Sequence, residues 1–377
     1  MEDRWDLVVV GAGPFGLSTA AAAREAGLKT LVLGRPMGFW TDHMPARMLL
    51  RSGTDWHLDA AGTHTMEAYL TARGKPADLP LPLGTFLDYA RWFRESKRLD
   101  VVEEYATSVT AEAGAFRVQL AGGDRVRAAA VVAAPGVQHF AHRPDWADGL
   151  PREVALHSSD AVDFDGVAGR HVVIVGGRQS AYECAAFAAG HGAARVDLVH
   201  RHPVPRFEHV SWSFFDDYLD KSLKEPGWWR NLSEAERQEI TARCWRAGRA
   251  TLEPWLPPLL DPDVVHVHAE RDVRRVEPAG TDGRVRFTLT DGQVLGAHKV
   301  ILATGYRADI ARVPYLRPVT DRIATRDGFP VLDERQRTTV PGFSMTGFVA
   351  TQDFGPFFGF VRAAPVAAAL ITAGLAR

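Results

Sequence analysis

The 377-residue sequence predicts an α/β protein in which one βαβ plan occurs twice. Two apolar strands each run into a glycine-rich loop and an alanine-rich helix. A stretch of short alternating strands follows each copy, and a tryptophan-rich segment interrupts only the second. The two copies are "DLVVVGAGPFGLSTAAAAREAGLKTLVLGRP" (6–36) and "HVVIVGGRQSAYECAAFAAGHGAARVDLVHRHP" (171–203). Continuous apolar strands of this kind are buried on both faces of a parallel sheet. The expected architecture is therefore two Rossmann-like dinucleotide-binding domains, each with a β-meander, plus a helical insertion. Residues 1–150 and 300–377 are expected to form one discontinuous domain. Residues 151–299 form the other, with the insertion at 205–262.

The first loop, "GAGPFG", follows a strand and opens a helix. Gly11 allows the tight turn, Gly13 lets the backbone approach a pyrophosphate, and Gly16 lets helix and strand pack closely. The next strand ends "LVLGRP", so Gly34 stands where an acidic residue ordinarily holds a ribose hydroxyl. That contact falls to Arg35, falls to backbone, or is absent. Residues 101–137 read as three short alternating strands ending in Ala134-Pro135-Gly136, and 264–306 repeats the pattern, ending in Ala303-Thr304-Gly305.

The second loop, "GGRQSA", supplies Gly176 and Gly177 but has Arg178 where the middle glycine would stand. A side chain there keeps a pyrophosphate from sitting close on the backbone. Its guanidinium either clasps the displaced phosphates with charge-assisted hydrogen bonds or closes the site. Gln179, Ser180 and the helix N-terminus are further donors. The outer strand then ends "HRHPVPR", which sets His200, Arg201 and Arg206 where a 2′-phosphate would lie and points to NADPH over NADH.

The insertion holds Trp212, Trp228, Trp229, Trp245 and Trp255. Ser233 and Glu236 form a capping-box pattern that opens a helix running to about Gly248. Trp212 is the first choice for a substrate-site wall, although such aromatics also serve as core or as a dimer contact. The tail "GFVRAAPVAAALITAGLAR" reads as a helix bent at Pro365.

Composition narrows the function classes. A formal net charge of −2, 46% hydrophobic and 24% charged residues give no footprint for nucleic acid or an anionic membrane. No apolar run reaches the roughly 18 residues of a membrane helix. The acidic opening, which enters a strand at once, does not read as a signal peptide. Cys184 and Cys244 form no C-x-x-C, which discards a disulfide framework and the dithiol flavin reductases and points to the cytoplasm. The "HVH" at 266–268 reads as strand, and no metal ligand spacing is present. Chemistry must then come from a bound cofactor.

Seven segments resemble the class B-type flavoprotein monooxygenase superfamily: "GAGPFGLS", "GFW" (38–40), "MLLRS" (48–52), "PLPLGTFLDYARWF" (80–93), "GGRQSAYE" (176–183), "ILATGY" (301–306) and "GFVATQDFGPFFGF" (347–360). That superfamily holds flavin-containing monooxygenases, N-hydroxylases and Baeyer–Villiger enzymes, and within it the chain is most similar to the bacterial FAD-dependent urate-hydroxylase type. The resemblance implies FAD on the first loop (Gly11, Gly13, Phe15 and Gly16, with Arg35, Trp40, Arg51, Ser52, Gly305 and Asp353) and NADPH on the second. It implies reduction of the flavin by NADPH, a flavin C4a-hydroperoxide formed with O2, and hydroxylation of a small nucleophilic substrate, aromatic, heterocyclic or amine. The Baeyer–Villiger fingerprint F-x-G-x-x-x-H-x-x-x-W retains only His157, and Leu49 stands where those enzymes place an Asp. Hydroxylation of nitrogen or of an activated ring carbon is therefore preferred. His157 and Trp212 are the candidate catalytic side chains. An NAD(P)H:acceptor flavin oxidoreductase without oxygen insertion, or an FAD-binding protein without turnover, are the competing readings. The aromatic insertion also suits a contact between two copies of the chain, a homodimer.

Overall fold

The computed structural model describes residues 4–160, 163–278, 280 and 283–375. The opening residues 1–3, read above as the acidic lead into the first strand, lie outside this set. In the first copy β1 (Arg4–Val10), α1 (Pro14–Glu25) and β2 (Thr30–Leu33) form a βαβ unit with β1 and β2 parallel. Its core positions Leu7, Val8, Val9, Val32 and Leu33 are almost wholly buried, as strands covered on both faces require. In the second copy β3 (His171–Val175), α2 (Gln179–Gly190) and β4 (Arg195–His200) repeat it.

The two parallel sheets match position for position. The first runs 100–102, β2, β1, 125–133 and 343–345; the second runs 265–269, β4, β3, 299–302 and 155–157. The strand 125–133 joins the parallel strands and the meander into one seven-stranded sheet. Its first half pairs antiparallel with 115–120 in the meander, and its second half pairs parallel with β1 and 343–345. In the second half of the chain the meander is a separate three-stranded sheet, 273–277, 285–289 and 294–297.

The insertion is helical at 216–224, 228–231 and 234–244. Ser233 and Glu236 make the reciprocal capping box, and the α-helix stops at Cys244, short of the expected Gly248. Residues Trp245–Arg249 continue as a π-helical turn, a widened form seen mostly at functional sites. The C-terminal helix begins where a bend at Pro365 was expected, directly after a 3₁₀ turn at Val361–Ala363. It spans Ala364–Leu375 with Pro365 in its first turn, where a missing N–H costs nothing, and it packs on α1. No helix of the described residues is long and apolar enough to cross a membrane, and no group of His, Cys, Asp or Glu among them is arranged to hold a metal.

Candidate functional site

A cavity of about 420 Å³ opens at the C-terminal ends of β1, β2 and 125–133, where open α/β sheets bind ligands. Its walls are the loop from Gly11 to Gly16, Gly34, Arg35, Gly38 to Trp40, Ala134 to His139, Gly347, Phe348, Gly359 and Val361. The glycines of the first loop have different reasons to be glycine. A Cβ on Gly11 would lie 2.2 Å from the Ala134 carbonyl, and one on Gly16 would lie 1.8 Å from the Gly11 carbonyl. Both are demanded by the protein's own packing. Gly13 has an ordinary φ of −82° and nothing within 4 Å of where its Cβ would be. The packing of the fold does not require a glycine there, and the bare backbone leaves open space on the cavity side. Gly13 also caps α1 without any side-chain hydrogen bond, leaving the helix's first N–H groups open to an anion. The cradle fits a diphosphate.

Around this cavity, Phe15 and Trp40 are half-buried, and Trp40 rests on Phe86 with ring centres 5.0 Å apart. Arg35 is exposed and paired with Asp42 at 2.7 Å. Four other flavin candidates lie off the cavity lining. Arg51 donates through Nε to Glu253 Oε1 at 3.0 Å, and through Nη2 to the Gly248 carbonyl and Thr251 Oγ1. Ser52 is buried. The Gly305 carbonyl accepts from the His142 backbone N–H and lies 3.1 Å from His157 Nε2. Asp353 is buried, accepting from Arg326 Nη2 at 2.7 Å and from the Leu332 backbone N–H at 2.8 Å. Burial holds His157 neutral, with its other nitrogen on Ser159 Oγ, so its ring ties the crossover turn at Gly305 in place.

The second loop repeats the first in one respect. A Cβ on Gly176 would lie 2.3 Å from the Ala303 carbonyl, the counterpart of the Gly11–Ala134 contact. Gly177 is needed for a different reason, since the His200 and His202 rings lie over it and a Cβ would come within 2.4 Å of His200. Arg178 caps α2 without capping through its side chain; its guanidinium carbon sits 5.3 Å from the centre of the Trp245 ring. Ser180 and Arg201 are exposed. Two of the expected nucleotide ligands are engaged elsewhere. Gln179 points inward, donating to Glu183 Oε1 and accepting from the Glu253 backbone N–H. His200 is buried against Tyr182 Oη and the His202 carbonyl, and burial pulls its pKa down to about 4, so it brings no positive charge to a phosphate. Of the cations at that strand end, Arg206 is exposed and paired with Glu208 at 3.2 Å, and Arg201 is exposed with no ion pair among the described residues.

Trp212 is buried, 4.9 Å from Phe360 and 6.1 Å from Trp56 between ring centres, and does not line the cavity. Phe354, Phe357 and Phe358 are core, with Phe357 packed against Tyr218, Trp228 and Trp229. Sequence reasoning passed over Gly347, whose positive φ lets Phe15 lie against it, and Arg249, which stacks on both Trp245 and Phe360. Arg249 was legible only as the fifth residue of "WRAGR", four after a tryptophan.

Residues 8–222 match the family described as pyridine nucleotide-disulphide oxidoreductase. The chain is 33% identical over 226 residues to an FAD-dependent urate hydroxylase of Xanthomonas campestris pv. campestris, covering 55% of this chain and 47% of the relative. It is 34% identical over 209 residues to a ferredoxin–NADP reductase of Ralstonia nicotianae, 53% of this chain and 52% of that one. The chain thus spans about half the length of these curated relatives. Among solved structures, the ornithine N-hydroxylase of Kutzneria sp. 744 superposes with a TM-score of 0.80 at 16% identity, covering 99% of both chains, which shows the fold.

Proposed function

The chain belongs to the pyridine nucleotide-disulphide oxidoreductase family, and from that premise we propose that it is an FAD-dependent, NADPH-consuming monooxygenase that hydroxylates a small nucleophilic substrate. The observation that carries the reading is Gly13, a glycine that the packing of the fold does not require, in the wall of the cavity at the C-terminal end of the first sheet. The Gly11–Gly16 loop and the N-terminus of α1 would hold the FAD diphosphate, and Arg35, Trp40 and the Ala134–His139 segment would line the rest. A bound flavin would supply the redox chemistry: it would take a hydride from the nicotinamide and activate O2, one atom going to the substrate and the other to water.

The protein's part is to bind, orient and keep water out. Phe348 and Val361 on the cavity wall, backed by the buried Phe357 and Phe358, give the dry surroundings such oxygen chemistry needs. Arg178 and Ser180 would take the NADPH pyrophosphate and Arg201 its 2′-phosphate. The two cysteines are buried and separate; burial pushes the Cys184 thiol up to about 12, so no dithiol competes for the electrons. A reductase reading without oxygen insertion draws support from the similarity to a ferredoxin–NADP reductase.

The test is anaerobic mixing of the yellow holoprotein with NADPH, followed by admission of ¹⁸O2 with a panel of aromatic, purine and amine compounds. A monooxygenase bleaches, reoxidises and delivers label to product. Bleaching with all oxygen recovered as peroxide, together with faster turnover with an added one-electron acceptor than with any compound of the panel, supports the reductase. Arg201→Ala is expected to raise the KM for NADPH at least tenfold while leaving NADH unchanged; equal kinetics with both nucleotides in the parent protein refute that assignment.

A further inference from the structure

Glu253 is buried and reaches two places at once. Its carboxylate Oε1 accepts from Arg51 Nε at 3.0 Å, and its backbone N–H donates to Gln179 Oε1 at 3.1 Å. Arg51 follows Leu50, which lies in the core of the first sheet, and Gln179 opens α2, the helix of the second glycine loop. Glu253 itself follows Leu252, which is wholly buried in the core of the second sheet. Residues 251–252 are held there by parallel pairing with 206–207, just past the end of β4, and by the Glu208 N–H on the Leu252 carbonyl. The Arg51–Glu253 pair therefore joins the two cores at one buried point.

Arg51 makes a second connection to the same loop. Its Nη2 donates to the Gly248 carbonyl at 3.2 Å and to Thr251 Oγ1 at 3.1 Å. Gly248 belongs to the π-helical turn that begins at Trp245, and the Arg178 guanidinium rests on the Trp245 ring. Two routes thus run from Arg51 to adjacent residues of the second loop, one through Glu253 to Gln179 and one through the turn to Arg178. On its other side Arg51 is anchored to the wall of the first cavity. Leu49–Leu50 pair antiparallel with Leu81–Pro82, which lead into the helix Leu83–Ser96, and Phe86 of that helix supports Trp40. The Arg51 side chain is 15% exposed and that of Glu253 4%, so both charges have been taken out of water. Apolar residues of similar volume often serve stability as well as a buried ion pair or better. What a planar guanidinium adds is direction, since its several donors fix both the distance and the angle between the elements it joins.

We propose that Arg51 and Glu253 are positioning residues for hydride transfer: their buried pair sets the second loop, with Arg178 and the nucleotide it holds, at the distance and angle from the first cavity that the transfer needs. This rests on the reading of the two loops as FAD and NADPH sites. The pair acts on the rate of transfer and not on the affinity for either cofactor. Reacting atoms must meet within about 3–3.5 Å with their orbitals aligned, so a small rotation of α2 costs rate before it costs binding.

Stopped-flow reduction of the FAD holoprotein by NADPH without oxygen, beside calorimetric titration with NADP+, tests it. The double variant Arg51→Met/Glu253→Leu removes the pair without leaving either charge buried alone. It is expected to keep its flavin and its NADP+ affinity, and to lower the limiting rate of reduction about tenfold or more, the scale on which a misplacement of an ångström acts. Dithionite, which needs no second loop, should reduce it as fast as the parent. Arg51→Lys/Glu253→Asp keeps the charges but not the full set of contacts, and is expected to recover part of the rate. Reduction of the apolar variant at the parent rate, whatever its thermal midpoint, overturns the proposal, because the pair then serves stability alone. So does an NADP+ affinity that falls in step with the rate, which makes the pair part of the nucleotide site, and so does loss of flavin, which makes Arg51 a flavin ligand. If only the Lys/Asp variant folds, reduction at the parent rate overturns the proposal and a slower rate at unchanged affinity supports it. A parent holoprotein that NADPH does not reduce refutes the two-cofactor reading itself, and the positioning role falls with it.

Discussion

At the residue scale, identical letters carry different loads. The pattern G-x-G-x-x-G was legible in the sequence, but which glycine serves the fold and which serves a ligand was not, because that depends on carbonyls brought in from residue 134. Gly13→Val is expected to give a folded, colourless protein with an unchanged thermal midpoint once flavin is removed from both. Gly16→Val, with its Cβ inside the Gly11 carbonyl, is expected not to fold at all. A yellow Gly13→Val protein would remove the diphosphate from this loop. Arg178 bears the same kind of test. Its guanidinium has no hydrogen-bond partner among the described residues and lies on Trp245, available to phosphate. Arg178→Gly is expected to weaken NADPH by about 1.5–3 kcal/mol, the scale of a hydrogen bond to a charged group. Tighter binding in a direct titration would mean that the side chain blocks the loop. His200 shows the limit of reading a basic cluster from letters alone: nothing in "HRHPVPR" says that its first histidine turns inward to Tyr182 while the next arginine stays in water.

At the element scale, α2 is the nucleotide helix of the second copy, yet its first turn is wired into the insertion. Gln179 joins Glu183, on the same helix face, to the Glu253 backbone N–H. Burial pushes the Glu183 carboxyl up to about 8 in the folded protein, from the ordinary 4.5 of an exposed glutamate in the unfolded chain. Between those values the folded state holds the proton and the unfolded state does not, so this residue makes stability fall as pH rises from about 4.5 to 8, by at most about 1.4 kcal/mol per pH unit. Glu183→Gln should flatten that slope, read as denaturant midpoints at pH 5, 6.5 and 8; an unaltered slope would mean that the carboxyl is ionised when buried. The capping box at Ser233 was readable because it is local chemistry. The π-helical turn after Cys244 was not, because it is set by the Trp212 ring and by Arg51, whose partners lie roughly 200 positions away in sequence. Pro365 was read as lying inside a helix, but it stands in the first turn of one, where a proline marks a start.

For the whole molecule, the duplicated plan was visible because long apolar strands and glycine loops announce themselves. The fifth strand of each sheet was not, since "FSM" and "ALH" are three residues long and show no period. These two short strands occupy the same place in the two sheets but come from opposite directions along the chain: 155–157 precedes its unit, whereas 343–345 follows everything else in its sheet. During synthesis this sets a timetable. The second sheet has all its strands once Leu302 has left the ribosome, while the first waits for residues 343–345 and then for the helix 364–375 that covers α1. The half begun first is thus finished last, and the apolar strands β1 and β2 must stay unaggregated through most of translation. A chain stopped at residue 340 is expected to keep a protease-resistant fragment around 155–302 and to take up no flavin. Resistance spread instead over residues 4–137 would mean that the first sheet closes without its last strand, and that the late arrival of the C-terminus exacts no delay.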